Sequence, residues 1–197
     1  MFPERIETDR LCLERISHDS VGVFELHELY ADGDDAEELF EYWDSSPHET
    51  VKETSDYLDE AERLWDEGEG AKYVIRPKDG EDGAGLVAGT TGLYPHWERR
   101  FANLGILLER RFWGRGYAGE RADAVLSVAF DRLELDLVVA AHVDGNEKSR
   151  RAIEKYVERY GGRYEGLLRN WVALPDTVAD GHRYTISREE YLDATES

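Results

Sequence analysis

The stretch Leu107-Leu-Glu-Arg-Arg-Phe-Trp-Gly-Arg-Gly-Tyr-Ala-Gly-Glu120 reads as the end of a strand, a glycine-spaced turn and the opening of a helix. Glycines at 114, 116 and 119 let the backbone come close to a ligand, and a helix start leaves N–H groups without intrahelical acceptors. Such groups suit a phosphate or pyrophosphate, which also meets the positive end of the helix dipole. Glycine spacing by itself is weak evidence, because a strand-to-helix turn often needs Gly for backbone conformation alone. A dinucleotide-binding fold would carry its fingerprint in an early strand–turn–helix unit with an acid about 20 residues on. This segment lies past the middle of the chain and lacks the Lys-Ser/Thr pair of a P-loop.

Working outward, residues 101–108 before the turn predict a strand, and 114–132 after it a helix with Ala118, Ala122, Val125, Leu126, Ala129 and Phe130 apolar. Residues 135–143 are a nearly continuous apolar run, as for a strand buried on both faces. A helix over 146–160 is broken by Gly161-Gly162, and strands follow at 164–174 and 182–187. Upstream, residues 10–16 alternate Leu11 and Leu13 with Cys12 and Glu14, a strand, and Ser17-His-Asp marks a helix start. Helical spacing runs from 17 to about 30, returns over 34–43 with Leu39, Phe40 and Trp43, and holds over about 49–67 with Val51, Tyr57, Leu58, Ala61, Leu64 and Trp65. Residues 73–75 and 86–93 read as a hairpin across Lys78-Asp-Gly-Glu-Asp-Gly-Ala-Gly85. With no repeat, linker or boundary, this predicts a single domain over 1–197, an α/β (α+β) arrangement with a mixed sheet flanked by helices.

Composition narrows the function. Asp and Glu number 44 against 24 Lys and Arg, a net charge of −20, which argues against nucleic acid as a partner. Hydrophobic residues at 41%, with five Trp and eleven Tyr, supply a core of one domain and argue against disorder. Arg outnumbers Lys by 19 to 5. Acid-rich and Lys-poor composition suggests a halophilic host, where a Debye length of about 3 Å at 1 M salt screens self-repulsion; an ordinary acidic protein is the alternative. The single Cys12 excludes an intrachain disulfide and reads as structural. The start Met1-Phe-Pro-Glu-Arg5 has no apolar signal region, and no apolar run nears the ~18 residues of a membrane span, which predicts a cytoplasmic protein without a membrane partner.

Three separated segments together resemble the GNAT superfamily of acetyl-CoA-dependent N-acetyltransferases, in its RimJ/RimL-like branch, which acetylates ribosomal-protein N-termini. Thr8-Asp-Arg-Leu-Cys-Leu-Glu-Arg15 is similar to the branch's opening strand, and Trp113-Gly-Arg-Gly-Tyr-Ala118 to the superfamily's Gln/Arg-x-x-Gly-x-Gly/Ala pyrophosphate loop. Asn146-Glu-Lys-Ser149, with Gly161-Gly-Arg-Tyr-Glu-Gly166 after it, resembles the Asn-x-x-Ser helix start and the glycine-led strand that follows. The resemblance implies a GNAT-like acyltransferase fold with a mostly antiparallel twisted sheet of about seven strands. It further implies that backbone groups of Ile106, Leu107 and Leu108 pair with the pantetheine arm of acetyl-CoA like an added strand. The N–H groups of Gly114, Arg115, Gly116, Tyr117, Ala118 and Gly119 would take the pyrophosphate. Arg110, Arg111 and Arg115 would add charge, or they pair with Glu109 and Glu120 on the surface. Trp113 stands where the superfamily has Gln or Arg, so that side chain brings no charge.

The same resemblance gives Ser149 to the leaving thiolate and Asn146 to the pantetheine arm, although a capping role suits Ser149 equally well. The tyrosine that acts as acid in other members falls at Ile153, and Tyr156 would substitute only on a rotated helix. Where relatives place a basic glutamate this chain has Ala141, and alternation points the adjacent His142 to the opposite sheet face. Glu98, His96, Asp44 or a water relay remain as the base, and Tyr42, Trp43, Tyr94 and Trp97 as walls of the acceptor cleft. No metal is called for. The expected reaction is direct transfer from acetyl-CoA to a primary amine in a ternary complex, with a protein N-terminus as the leading acceptor and a small amine or polyamine as the alternative. A non-catalytic acyl-CoA-binding module and a ligand-free scaffold are the competing classes, and a monomer and a homodimer are both compatible.

Overall fold

A computed structural model describes residues 1–31 and 36–196. In chain order it places β1 (Arg5–Glu7), β2 (Leu11–Arg15), α1 (Val23–Tyr30), α2 (Ala36–Phe40), α3 (Val51–Asp66), β3 (Ala71–Pro77), β4 (Gly89–His96) and β5 (Phe101–Leu108). There follow α4 (Tyr117–Ser127), β6 (Leu137–Val143), α5 (Glu147–Arg159), β7 (Arg163–Leu174), β8 (Thr177–Ser187) and α6 (Arg188–Thr195). The strands form a sheet in the order β1-β2-β3-β4-β5-β6-β8-β7, antiparallel throughout except between β5 and β6. That exception follows from connection length, because α4 carries the chain back across the sheet between β5 and β6.

Helices cover both faces. On one face, Ala122, Val125 and Leu126 of α4 and Ile153 and Val157 of α5 pack on Leu93, Ala102, Val138 and Ile186. On the other, Leu26 and Tyr30 of α1 and Leu58 of α3 pack on Ile16, Val74 and Leu107. Thr50 caps α3 by accepting from the Glu53 amide, and Ser187 and Glu190 form a capping box on α6. Among the described residues, no helix is long and apolar enough to cross a membrane.

The sheet has eight strands, one more than expected. The addition is β1, three residues that pair with β2 but are too short to show alternation. The terminal α6 was likewise unexpected, and β8 begins at Thr177 rather than 182. The helix expected from Ser17 begins at Val23, because Ser20 and Val21 turn back onto the Ser17 carbonyl. The helix expected over 34–43 is described only as Ala36–Phe40, and Asp34 and Asp35 lie outside the described residues. The helix from 114 starts regularly at Tyr117 and widens into a π-turn over Val128–Arg132.

Candidate active site

The feature that positions the site is a split between β5 and β6. β5 pairs with β4 along its whole length, from Phe101↔His96 to Leu108↔Gly89, but with β6 only at Phe101↔Leu137, Ala102↔Val138 and Asn103↔Val139. Beyond these pairs the strands part, and a cleft of about 680 Å³ opens between them, bounded by the starts of α4 and α5. Leu104, Ile106 and Leu108, on an interior strand, stay only half-buried. The Glu109 amide donates to the Ala88 carbonyl at 2.9 Å, which fixes the alternation. Backbone groups of Gly105 and Leu107 therefore face β4, and those of Leu104, Ile106 and Leu108 face the open edge. A Cβ added to Gly89 would lie 2.1 Å from the Leu107 carbonyl oxygen, consistent with that direction. Ile106 and Leu108 thus present backbone groups to the open edge, whereas Leu107 gives its backbone to the sheet and its side chain to the buried cluster under α1 and α3. The Leu108 carbonyl accepts from Trp113 Nε1 at 2.7 Å, leaving its amide at the edge.

The glycine turn closes the outer end. Gly114 (φ +76°) and Gly116 (φ +83°) are left-handed, a conformation costly for residues with a Cβ. Gly114, Gly116, Tyr117, Ala118 and Gly119 all line the cleft. Among the described residues, the N–H groups of 114–118 have no acceptor, while that of Gly119 donates to the Gly116 carbonyl at 3.1 Å. The anion-ready set therefore ends at Ala118, one residue earlier than expected. Glu120 anchors this helix start, accepting from Thr8 Oγ1 at 2.6 Å, from the Arg10 amide at 2.7 Å and from Arg10 Nε at 2.8 Å. The partner pull of Thr8 and Arg10 outweighs burial and holds its carboxyl below the usual range.

The positive charge lies elsewhere than expected. Arg115 is absent from the cleft lining, because its guanidinium pairs with Asp82 at 2.8 Å and lies over Phe112. Arg110 pairs with Glu38 and Arg111 with Glu109. The cleft instead takes Lys148, Arg151, Lys155 and Arg159, at three- and four-residue spacing along one face of α5. Lys148 pairs with Glu38 and sits 4.0 Å from the Trp113 ring centroid. Arg159 pairs with Asp123, while Arg151 and Lys155 have no acid partner among the described residues.

At the head of α5, Asn146 Oδ1 accepts from the Ser149 amide at 3.0 Å, so Asn146 is the cap and the Ser149 hydroxyl is not. Both residues line the cleft, as do Ile153 and Tyr156. Tyr156 reaches it without any rotation of the helix, and burial pushes its hydroxyl up to about 12 against the pull of Arg121. Ala141 and His142 both border the cleft. His142 does face the α4–α5 side: Nδ1 bonds the Val143 carbonyl at 2.9 Å, Nε2 lies 3.3 Å from the Tyr184 hydroxyl, and burial holds the imidazole below its ordinary value.

His96, Glu98 and Asp44 are exposed and outside the cleft lining. His96 accepts from Asn103 Nδ2 at 3.0 Å and stacks on Phe101. Tyr42 and Trp43 form part of the wall, but Tyr94 and Trp97 do not, the latter donating to the Gly68 carbonyl at 2.8 Å. Glu38 and Glu41 also line the cleft, Glu38 held by both Arg110 and Lys148. Sequence reading also passed over Arg121, a fully buried cation in the lining, because it interrupts the apolar spacing of α4.

A split sheet beside an anion-ready helix start defines an acyl-CoA N-acyltransferase type of site. Residues 10–156 match the family model for the acetyltransferase (GNAT) domain. The chain therefore belongs to the GNAT acetyltransferases, enzymes that use acetyl-CoA to acetylate an amine. Over 189 residues it is 25% identical to the uncharacterized N-acetyltransferase p20 of Bacillus licheniformis, covering 95% of this chain and 98% of that one. In fold it is similar to a GCN5-related N-acetyltransferase from Brucella melitensis, with a TM-score of 0.81, 22% identity, and coverage of 100% and 84% of the two chains. It is also similar to spermidine N-acetyltransferase from Vibrio cholerae, solved with CoA and spermine, with a TM-score of 0.73, 19% identity and coverage of 94% and 99%.

Proposed function

We propose that this chain acetylates the α-amino group of a protein N-terminus, as a RimJ/RimL-like member, by direct attack in a ternary complex. The observation that carries the reading is the unpaired β5 edge running into five N–H groups at 114–118 that have no acceptor among the described residues. Those groups fit an extended arm that ends in a pyrophosphate. Backbone groups of Ile106 and the Leu108 amide would hold the arm, and Lys148, Arg151, Lys155 and Arg159 would draw phosphates toward the loop. Asn146, with its oxygen committed to the cap, has its amide nitrogen left for the arm.

Acetyl-CoA supplies an acyl group already activated as a thioester. The chain's tasks are then to orient the amine, take its proton and hydrogen-bond the departing sulfur. Ser149 serves the last with a hydroxyl that no cap occupies. With Ala141 at the glutamate position and His142 engaged by Tyr184, the proton leaves through a water relay in this reading. Glu41, exposed in the lining, attracts a cationic acceptor before it loses its proton, whereas Glu38 is engaged by Arg110 and Lys148. Glu41, with the likeness to the spermidine enzyme, favours a polyamine as the second reading.

Thermal denaturation in high salt tests the first half. CoA at about 100 times its Kd should raise the melting temperature by about 5–10 °C, and a flat response overturns the reading. Acetyl transfer to N-terminal peptides but not to spermidine supports the leading acceptor, and the converse the polyamine. CoA binding without transfer to either makes the chain a binding module.

A further inference from the structure

Arg121, in the second turn of α4, is 1% exposed and lines the cleft. Its Nε and Nη1 have no hydrogen-bond partner among the described residues. The acid whose field reaches it, Asp123, is already engaged by Arg159 and by the Tyr160 hydroxyl at 3.0 Å. A buried guanidinium with neither acceptors nor a counter-ion is costly, and a ligand that supplies both would relieve it.

Its place along the cleft says which part of a ligand it would meet. The pyrophosphate-ready amides end at Ala118, and α4 carries Arg121 inward from them. There it shares the cleft lining with Tyr156, Ile153, Ala140 and Leu104, the first three in one buried cluster and Leu104 packed against that cluster. Leu104 and Ala140 are the first residues past the last β5–β6 pair, Asn103↔Val139, so this is the closed end of the split. An arm laid along residues 104–108 with its pyrophosphate at the turn brings its acyl end here.

We propose that the closed end is a subsite for acyl groups that end in a carboxylate, so that dicarboxylic acyl-CoA thioesters are donors beside acetyl-CoA, with Arg121 as the carboxylate's partner. The phosphates have their own cations on α5, and an acetyl group offers Arg121 no charge. A terminal carboxylate gives it counter-charge and two acceptors together. The transfer itself is unchanged: the amine nitrogen bonds the thioester carbon, the carbon–sulfur bond breaks, the amine's proton leaves to solvent and the distal carboxylate stays intact. The inference rests on the acyl-CoA reading of the cleft.

Calorimetry of the full chain with CoA, butyryl-CoA and succinyl-CoA tests it, because the last two differ chiefly in the terminal charge. Succinyl-CoA should bind about tenfold tighter than butyryl-CoA, and Arg121→Met should close that gap, with Arg121→Lys retaining part of it. If CoA binds but succinyl-CoA gains nothing over butyryl-CoA in the wild type, this subsite is overturned while the acyl-CoA reading stands. If the gap survives Arg121→Met, Arg121 is not its source and the proposal fails. If CoA itself does not bind, both readings fall. The wild-type comparison decides the matter even if the variants fold poorly.

Discussion

Asn146 spends its side-chain oxygen on the Ser149 amide, which frees the Ser149 hydroxyl from any capping duty. Ser149→Ala should therefore lower kcat on the order of 10²-fold and leave the Kd for CoA within about twofold. Tyr156→Phe, deeper in the cleft, should cost less than about threefold. The reverse pattern would transfer the sulfur's hydrogen bond to Tyr156, and an unchanged Ser149→Ala would leave that serine without a catalytic part. At this scale the sequence was legible where a glycine or a helix cap fixes the local backbone. Gly114, Gly116, Asn146 and Ser149 all line the cleft as read. It misled where side-chain direction decides. Arg115 neighbours the loop in sequence, yet Asp82 of the 78–85 turn draws its guanidinium away, and no local pattern announces a partner 33 residues upstream. The charge stripe of α5, Lys148, Arg151, Lys155 and Arg159, is interleaved with Glu147, Glu154 and Glu158, so no local excess of charge marks it in the sequence.

In the proposed reading, the α4 start is the element on which CoA binding turns. Gly114 has open space where a Cβ would go, so an alanine there meets strain from its left-handed φ alone. Gly114→Ala is expected to cost about 1 kcal/mol and lower the melting temperature by about 2–4 °C, and to weaken CoA binding by misaligning the amides. Gly161, also left-handed with nothing near its Cβ position and outside the cleft lining, is the control. Gly161→Ala should lose similar stability and keep its CoA affinity; equal losses of affinity would detach the turn from binding. Long periodic elements such as α3, α5 and β5 were readable within a residue or two, because packing on one face imposes the period. β1 was too short to carry one, and the serine turn at 17–21 imitates a helix start. The split between β5 and β6 is not written in either strand, because both are apolar.

Over the whole molecule, acids outnumber bases by 20 charges, while many ion pairs are exposed, such as Arg63 with Glu60 and Glu69. Exposed pairs contribute little each, so repulsion among unpaired carboxylates should govern the salt response. The melting temperature is expected to climb as KCl rises from 0.1 to about 2 M, most steeply at the low end where screening changes fastest. A flat or falling curve would detach the composition from salt adaptation. Only three registered pairs join β5 to β6, and this gives the sheet a seam. One raft is β1 to β5, the other β6, β8 and β7, joined by no more registered pairs than hold the three-residue β1 to β2. That thin seam runs along the candidate cleft, and an occupant stitched along 104–108 would add backbone pairing where the two rafts share none.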